Sequence, residues 1–228
     1  MNSSNTIGTL NEKHLHAQLR AWYLRPGDLQ EVPFNGYIID VQRDDLLIEI
    51  QTKNFSSIKR KMMKLADTYR IRLVHPIPRE RWIVKVDGKG SPAAPRRKSP
   101  KRGDVIDIFS ELVSFPALMK HVNFSLEVIL IQEEQIRKFG KTRRRRDRWI
   151  VLERRLLDVI ESFLFETPED FLSVLPEGLP EYFTTKDLAA AMERPTWFTR
   201  KVVYCLKHME VIAQCGKQGR SILYRTNE

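Results

Sequence analysis

Few of the features that mark secreted, membrane-spanning or disulfide-stabilised proteins occur in this sequence. It has two cysteines among 228 residues, Cys205 and Cys215, too few for a disulfide framework or a zinc site, so free thiols are the simplest interpretation. No stretch approaches the roughly 18 consecutive apolar residues of a membrane span. The first residues have neither the charged start nor the apolar core of a signal peptide. We therefore expect a cytoplasmic protein with no membrane partner.

Acidic residues are scarcer than basic ones. Lys and Arg total 39 and Asp and Glu total 29, which gives a formal net charge of +10. This excess favours a polyanionic partner, first nucleic acid and second an acidic membrane surface. No amphipathic helix supports the membrane alternative. We therefore expect DNA as the partner, double-stranded DNA in particular, and association with the nucleoid when bound.

Several catalytic patterns are also missing. The five histidines are scattered, and the sequence has neither a nucleophile elbow nor a Cys-x-x-Cys pair. No glycine-rich phosphate loop follows a strand pattern. The sequence therefore argues against the common serine, cysteine and NTP hydrolase arrangements.

The pattern that organises the chain lies in residues 36–55, GYIIDVQRDDLLIEIQTKNF. An apolar run ends at Asp40, a turn rich in aspartate follows, and a second run alternates apolar and polar residues, which predicts a β-hairpin. Residues two apart share a strand face, so Glu49, Gln51 and Lys53 would lie on one side, with Asp40 close by. Oxygen ligands beside a lysine at the ends of neighbouring strands suit a hard cation and a phosphate group.

These residues resemble the motif of the PD-(D/E)XK nuclease superfamily, in which an Asp ends one strand and a (Glu/Gln)-x-Lys tripeptide lies on the next. Asp40 matches the acid, Gln51-Thr52-Lys53 matches the tripeptide, and Glu12 fits the place of a further Glu on the preceding helix. The resemblance covers residues 9–75. It implies that Asp40, Gln51 and Lys53, with Glu12, catalyse phosphodiester hydrolysis in DNA as an endonuclease. It also implies Mg²⁺ or Mn²⁺ held by Asp40, Gln51 and Glu49, while Lys53 orients water or stabilises the transition state.

Two features keep alternatives open. Gln51 is a neutral amide, which binds Mg²⁺ less well than a carboxylate does, although Glu49 on the same face can supply the missing charge. Glu12 lies three residues after Thr9 and is equally well explained as part of a capping box. The alternative hypothesis is a non-catalytic DNA-binding protein, a regulator or a complex subunit, that retains the nuclease fold.

The neighbouring patterns fit the fold class that the resemblance implies, an α/β (α+β) restriction-endonuclease-like domain with a mixed sheet flanked by helices. We predict a helix from Thr9 to the stop at Pro26-Gly27, a second helix over 58–69, and two strands over 71–75 and 82–86. The outer face of the second helix carries four basic residues: Lys59, Arg60, Lys61 and Lys64. Such a face is either solvated or follows a DNA backbone.

Two basic segments stand apart from these elements. Residues 87–103 contain three prolines, three glycines and no large apolar residue, so we expect a flexible arm that binds nucleic acid or serves as a linker. A run of four arginines, Arg143, Arg144, Arg145 and Arg146, is either a DNA contact or a localisation tag. Between and after these segments we predict a helix over 104–121, a strand over 124–132 and a helix over 149–164.

The C-terminal residues predict two helices and a hairpin. Thr184 or Thr185 caps a short helix, a turn leads to a second helix over 196–209, and two strands joined by a basic turn follow. This order resembles a winged helix-turn-helix covering residues 148–228, which implies that the second helix enters the major groove. The implied DNA contacts are Thr196, Trp197, Thr199, Arg200 and Lys201 on that helix and Lys217 and Arg220 on the wing. A protein–protein module is the alternative.

These patterns divide the chain into two domains. Residues 1–139 would form the nuclease-like domain, with the arm at 87–103. Residues 140–228 would form a basic linker, a helical bridge and the winged helix domain. A homodimer is compatible with this organisation, because a single active site cuts one strand of a duplex.

Overall fold

The structure of this chain is a computed structural model. The structure describes residues 6–87, 90–141 and 147–227, with the side chains of residues 14–87, 90–140 and 149–227. Arg143 to Arg146 lie outside the described residues, as does the side chain of Glu12.

A large mixed sheet forms the centre of the molecule. The strands in the described residues are β1 Leu29–Phe34, β2 Tyr37–Arg43, β3 Leu46–Ile50, β4 Arg70–Val86, β5 Arg97–Lys98, β6 Phe124–Lys141, β7 Asp147–Phe165, β8 Ile212–Gln218 and β9 Ser221–Thr226. The sheet has the order β1-β2-β3-β4-β6-β7, with β5 beside β4, while β8 and β9 form a separate hairpin. Strand β4 runs parallel to β3 and β6, and the other neighbours in the sheet are antiparallel.

Helices flank this sheet. The α-helices are α1 Thr6–Tyr23, α2 Lys59–Ala66, α3 Phe109–Leu112, α4 Thr185–Ala191 and α5 Thr196–His208. Short 3₁₀ turns are Phe55–Ser57, Val105–Ile108, Pro116–Lys120 and Glu169–Val174. Leu15 and Leu19 of α1 pack against Ile48 and Ile50 in one core. A second, larger core contains side chains of α2, α3 and α5 together with Leu47. The coarse expectation of a mixed sheet flanked by helices is therefore confirmed.

The predicted β-hairpin is present as β2 and β3, which pair antiparallel from Val41↔Ile48 to Arg43↔Leu46. Strand β3 is buried on both faces, since Leu47 faces one core and Ile48 and Ile50 face the other. It ends at Ile50, so Gln51 and the two residues after it belong to the following turn.

The expected break at the two prolines does not occur, because 70–86 form one strand. Strand β3 pairs with β4 only as far as Ile50↔Val74. The Val74 carbonyl faces β3, where it accepts from Gln51 N. Pro76 and Pro78 follow at intervals of two and face the same side, beyond the end of β3. A missing N–H there removes no ladder bond, which is the condition under which strands tolerate proline.

The predicted helix over 149–164 is wrong, because these residues belong to β7. Strand β7 pairs with β6 along its length, and the register shifts three times. One shift lets Leu156 oppose Glu133 while Val159 opposes Ile131, so two inward residues lie three apart, as they would on a helix. The proposed domain boundary between residues 139 and 140 falls inside β6.

The described part of the 87–103 arm is also not a free flexible segment. It runs antiparallel beside β4 over the side that β3 leaves vacant. Its backbone N–H groups donate to β4 carbonyls: Ala93 to Lys85 at 2.8 Å, Ser99 to Arg81 at 2.7 Å and Gly103 to Pro78 at 2.9 Å. An unpaired sheet edge offers such bonds to any extended segment that reaches it. We call residues 97–103 the strap.

Between the strap and β6, the helix expected over 104–121 is divided into short pieces. Asp104 caps the first turn in a capping box with Asp107, as its position predicted. Helix α3 covers only Phe109–Leu112, and Pro116 begins a separate 3₁₀ turn. Proline at the first position of a turn is favourable, but it cannot continue a preceding α-helix.

Candidate catalytic site

Two carboxylates meet on the neighbouring strands β2 and β3. The register that pairs Val41 with Ile48 places Asp40 opposite Glu49. Asp40 Oδ2 accepts a hydrogen bond of 2.8 Å from the backbone N–H of Ile50, which fixes the Asp40 side chain against β3. Both side chains are largely buried, 13% exposed for Asp40 and 10% for Glu49.

A basic group contacts each carboxylate. Nε2 of His16, on α1, lies 3.1 Å from Asp40 Oδ2. Nζ of Lys61, on α2, donates to Glu49 Oε2 at 2.6 Å and to the carbonyl of Ile38 at 2.6 Å. The lysine is 13% exposed. Two elements from opposite faces of the sheet thus complete a cluster of two acids and two bases, which we call the carboxylate cluster.

The electrostatics of this cluster depend on burial. Burial raises the pKa of Glu49 to about 7, and the neighbouring Asp40 charge adds to this rise, while Lys61 opposes it. The hydrogen bond to Asp40 raises the pKa of His16, against the effect of burial. A carboxyl with a pKa near neutrality beside a second carboxylate is the arrangement expected where a cation or a proton is exchanged.

The strand pattern predicts that Gln51 and Lys53 lie beside Glu49, but the structure places both of them elsewhere. Nε2 of Gln51 donates to the carbonyl of Lys53 at 2.5 Å, so the amide closes the turn after β3. Lys53 lines a cleft whose wall also includes residues of β4 and of the beginning of α5. The shared face of Glu49, Gln51 and Lys53 therefore ends with β3, and of these three Glu49 is the one that contacts the basic groups of the cluster.

Lys61 and His16 are the site residues that the sequence interpretation missed. The sequence placed Lys61 on the outer face of its helix. It nevertheless lies three residues after Ile58 and four before Leu65, both of which pack into the core, so its helical position was an inward one. His16 follows Glu12 by one helical turn. This spacing was the sequence signal that could have placed His16 at the site.

The donor set fits a small divalent cation. Mg²⁺ is held in proteins by one or two carboxylates and retains several waters, and Asp40 and Glu49 supply two. Among the described side chains, no group of three or more His, Cys, Asp or Glu residues is placed to bind a metal ion.

The C-terminal helices and hairpin present a different set of residues. Helices α4 and α5 and strands β8 and β9 occur where the sequence predicted them. Trp197 is 61% exposed, whereas Phe198 is buried, and Lys201 Nζ lies 5.4 Å from the centre of the Trp197 ring. Arg200 is exposed, as are Lys217 and Arg220 around the β8–β9 turn, and Thr196 is half-buried.

Thr199 is the exception among the residues expected to contact DNA. It is fully buried, and its hydroxyl donates to the carbonyls of Thr185 and Thr196, both at 3.2 Å. The hydroxyl therefore joins α5 to the start of α4 and does not face solvent. The buried Thr199 side chain therefore does not lie on the surface that the winged-helix resemblance implies for DNA.

Fold and site together define an α+β protein with a carboxylate–lysine cluster on a central mixed sheet. The chain belongs to the family described as a domain of unknown function, DUF8091, which matches residues 13–166. That match ends one residue after β7. The chain is also 30% identical over 230 residues to an uncharacterized protein of Treponema pallidum (strain Nichols), with 96% of this chain and 87% of that protein covered. No solved structure matches this chain significantly.

Two further observations concern the expectations from composition. Both cysteines are free, Cys205 buried and Cys215 exposed, and burial raises the pKa of the Cys205 thiol to about 12. Among the described residues, no helix has the length and apolar content needed to cross a membrane.

Proposed function

We propose that this protein is a metal-dependent DNA endonuclease whose catalytic residues are Asp40, Glu49 and Lys61. The observation that carries the proposal is the carboxylate cluster, in which two buried acids share one end of a strand pair with a lysine 2.6 Å from Glu49. Mg²⁺ or Mn²⁺ is the implied cofactor, and the resemblance to the PD-(D/E)XK superfamily supports the same assignment.

In this mechanism Asp40 and Glu49 would hold the cation, and Lys61 would supply a positive charge beside them. A bound cation supplies Lewis-acid assistance and a more acidic water. The Asp40 side chain is held in place by Ile50 N–H and His16, so it need not reorganise. Lys61, whose Nζ lies 2.6 Å from Glu49 Oε2, would place its positive charge beside the scissile phosphate. Lys61 thereby takes the role that the sequence pattern assigned to Lys53.

The C-terminal helices and hairpin would position the duplex as a winged helix. On α5, exposed Trp197 and Arg200 and half-buried Lys201 offer groove and phosphate contacts, as do exposed Lys217 and Arg220 at the hairpin. The net charge of +10 favours the same partner. We further propose that the protein acts in the cytoplasm on the nucleoid, and that a homodimer would combine two single-strand cuts.

A non-catalytic DNA-binding protein is the second candidate, and one observation favours it. Each carboxylate already has a cationic or hydrogen-bonding partner within the fold, Asp40 with His16 and Glu49 with Lys61. Such pairs can be structural, because a paired buried charge is stable without a metal. DNA binding through α5 and the hairpin would then be the whole function.

Cleavage and binding assays separate these candidates. Plasmid and oligonucleotide cleavage would be measured with Mg²⁺ and with Mn²⁺ for wild type, Asp40→Asn, Lys61→Ala and Lys53→Ala, and DNA binding would be measured alongside in EDTA. We expect the first two variants to bind normally and to cut at least about a hundredfold more slowly, because each removes charge at the reacting phosphate. Lys53→Ala should weaken binding and leave the maximal rate close to wild type.

Lys59→Ala is the matched control, since it removes an exposed lysine from the same helix as Lys61. It should cut like wild type. If wild type binds DNA but leaves it intact with both metals, the second candidate is correct. Cleavage by Asp40→Asn at the wild-type rate would show that the activity belongs to another site or to a contaminant.

A further inference from the structure

A second feature lies beyond the carboxylate cluster, a cleft between β4, the strap and the beginning of α5. Its volume is about 750 Å³. Lys53, three residues after the end of β3, lines one part of it, and Trp197 and Phe198 line another. Neither Asp40 nor Glu49 lines the cleft as the structure describes it, but the turn at Gln51 connects the two regions directly along the chain.

The cleft is strongly basic. Six cationic side chains line it: Lys53, Arg81, Lys101, Arg102, Arg154 and Arg194. The acids in its wall are Asp107 and Glu111, and both have partners within the fold. Asp107 accepts from the Asp104 backbone and pairs with Arg194 at 3.4 Å, and Glu111 accepts from Phe55 N–H at 3.0 Å. Arg194 is thus paired, and Arg102 pairs with Glu80 at 3.5 Å. Arg81 and Arg154 share the single charge of Glu133. The six cationic charges are therefore only partly offset, and the cleft keeps a positive excess.

These cations are held in place by the fold. Buried Glu133 fixes two of them, with Arg81 at 2.5 Å and Arg154 at 2.6 Å. The strap is held close to β4 at Gly103, where an added Cβ would lie 2.6 Å from Ile77 Cγ2 and 2.8 Å from the Pro78 carbonyl oxygen. Since no side chain fits there, glycine permits the close approach that brings Lys101 and Arg102 to the cleft.

An exposed aromatic ring stands at the same cleft. Trp197 is 61% exposed and is supported by the buried Phe198 ring, with a centroid distance of 6.0 Å and an angle of 87°. A positively charged groove combined with an exposed aromatic ring is the arrangement by which proteins hold single-stranded nucleic acid.

We propose that this cleft binds a single strand of DNA, with phosphates against the six cations and one base stacked on Trp197. A cavity of this size holds a ligand of about one or two nucleotides and is too small for a duplex. The inference rests on the proposed function, because the bound strand is taken to reach the carboxylate cluster for cleavage. The turn at Gln51 leads from the cleft to that cluster. It identifies the substrate of the proposed nuclease as duplex DNA that carries a single-stranded segment.

Fluorescence anisotropy in EDTA tests this proposal without depending on cleavage. Three labelled probes are compared: a short single-stranded oligodeoxynucleotide, the blunt duplex of the same sequence and that duplex with a single-stranded overhang. We expect Trp197→Ala to weaken binding of the single strand and of the overhang duplex about tenfold. The double variant Lys101→Ala/Arg102→Ala should have a similar effect and a smaller salt dependence.

Matched controls separate the cleft from general charge and fold effects. Tyr204→Ala removes an exposed aromatic from the same helix outside the cleft, and Arg25→Ala/Lys207→Ala removes two exposed cations elsewhere. Both should bind the single strand within about twofold of wild type. If neither cleft variant weakens single-strand binding, or wild type does not bind the single strand, the proposal is overturned.

The two proposals can fail separately. The protein could bind single strands through Trp197 and the strap and yet cut no DNA with either metal. That result would support the cleft proposal and contradict the nuclease proposal. Cleavage that depends on Asp40, with single-strand binding insensitive to the cleft variants, would do the reverse.

Discussion

Three features of the Glu49 carboxyl determine its charge. It is nearly buried, it lies opposite another carboxylate, and its charge is compensated by one lysine. Burial and the Asp40 charge both favour the neutral form, which is why the pKa rises to about 7. Glu49 therefore changes charge in the pH range where most enzymes work.

We expect Glu49→Gln to remove a pH dependence of stability. The folded protein binds a proton at Glu49 up to about pH 7, whereas the unfolded chain releases it near the ordinary pKa of about 4.3. Since the folded state binds more protons in that window, the wild-type free energy of unfolding falls as pH rises through it, by on the order of 2–3 kcal/mol. Glutamine stays neutral and avoids this loss.

Urea unfolding of both proteins from about pH 5 to about pH 8 would measure the difference. The Glu49 charge also helps to raise the pKa of His16, so the difference between the two curves reports Glu49 together with its effect on His16. Glu161→Gln, a change at an exposed acid on β7, should keep the wild-type slope. Parallel curves for wild type and Glu49→Gln would contradict the assigned burial of this charge.

Mg²⁺ binding should depend on whether Glu49 is protonated. A cation that uses Asp40 and Glu49 must displace the Glu49 proton, so binding weakens as pH falls through about 7. We expect millimolar Mg²⁺ to raise the melting temperature at about pH 8 and to have little effect at about pH 6. Asp40→Asn should lose the effect at both values. A rise that persists unchanged in Asp40→Asn would locate the bound metal elsewhere.

At the scale of elements, the beginning of α4 is set by a reciprocal cap. Thr184 Oγ1 accepts hydrogen bonds from the N–H of Lys186 at 3.2 Å and of Asp187 at 3.3 Å. In return, Asp187 Oδ2 accepts a hydrogen bond of 2.8 Å from the Thr184 N–H. Thr184 is 4% exposed. Its hydroxyl therefore satisfies helix N–H groups that water reaches poorly.

Thr184→Ala should destabilise the fold by about 1–2 kcal/mol, because it leaves those N–H groups without their acceptor. The measurement is the free energy of unfolding in urea. Thr185→Ala is the matched control, since it removes a neighbouring hydroxyl that does not cap the helix, and it should have a much smaller effect. Equal losses in the two variants would contradict the cap.

Helix α4 and strand β7 differ in how well a local sequence pattern predicts them. Thr184 and Asp187 encode their cap within four residues, so the helix start was predictable. The apolar spacing of β7 is not local in origin. It follows from bulges against β6, which place Leu156 and Val159 on one face, and no single strand contains the register of its partner.

At the scale of the whole molecule, one core joins the sheet to the C-terminal helices. Phe165, at the end of β7, stacks on Phe171 with ring centroids 4.2 Å apart, and Phe171 also contacts Phe109 at 5.7 Å. Phe198 and Leu206 of α5 belong to the same core. The residues after 166 therefore cover apolar side chains of the family-matched region.

A chain that ends at residue 166 should consequently fail to fold as a stable unit. It would expose the core face that Phe171 and α5 cover, and losing one large buried aromatic alone costs about 3–5 kcal/mol. Urea unfolding would be compared for the full chain and the truncated chain. We expect one cooperative transition for the full chain and a broad or absent transition for the truncated one. A truncated chain with the full-length midpoint would show two independent domains instead.

The sequence by itself determined the features that few neighbouring residues encode. These are the β2–β3 hairpin that brings Asp40 close to Glu49, the capped start of α4, the order of the C-terminal elements and the positive charge. Each depends on alternation, capping or composition within a short window.

Only the tertiary structure decided which side chains meet. Lys61 contacts Glu49 because α2 packs on the sheet, and the strap lies along β4 because β3 ends early and leaves N–H and C=O groups unpaired. The physical reason is the same in both cases. Hydrogen bonds between strands and contacts of buried charges are made with partners far along the chain, so no local pattern specifies them.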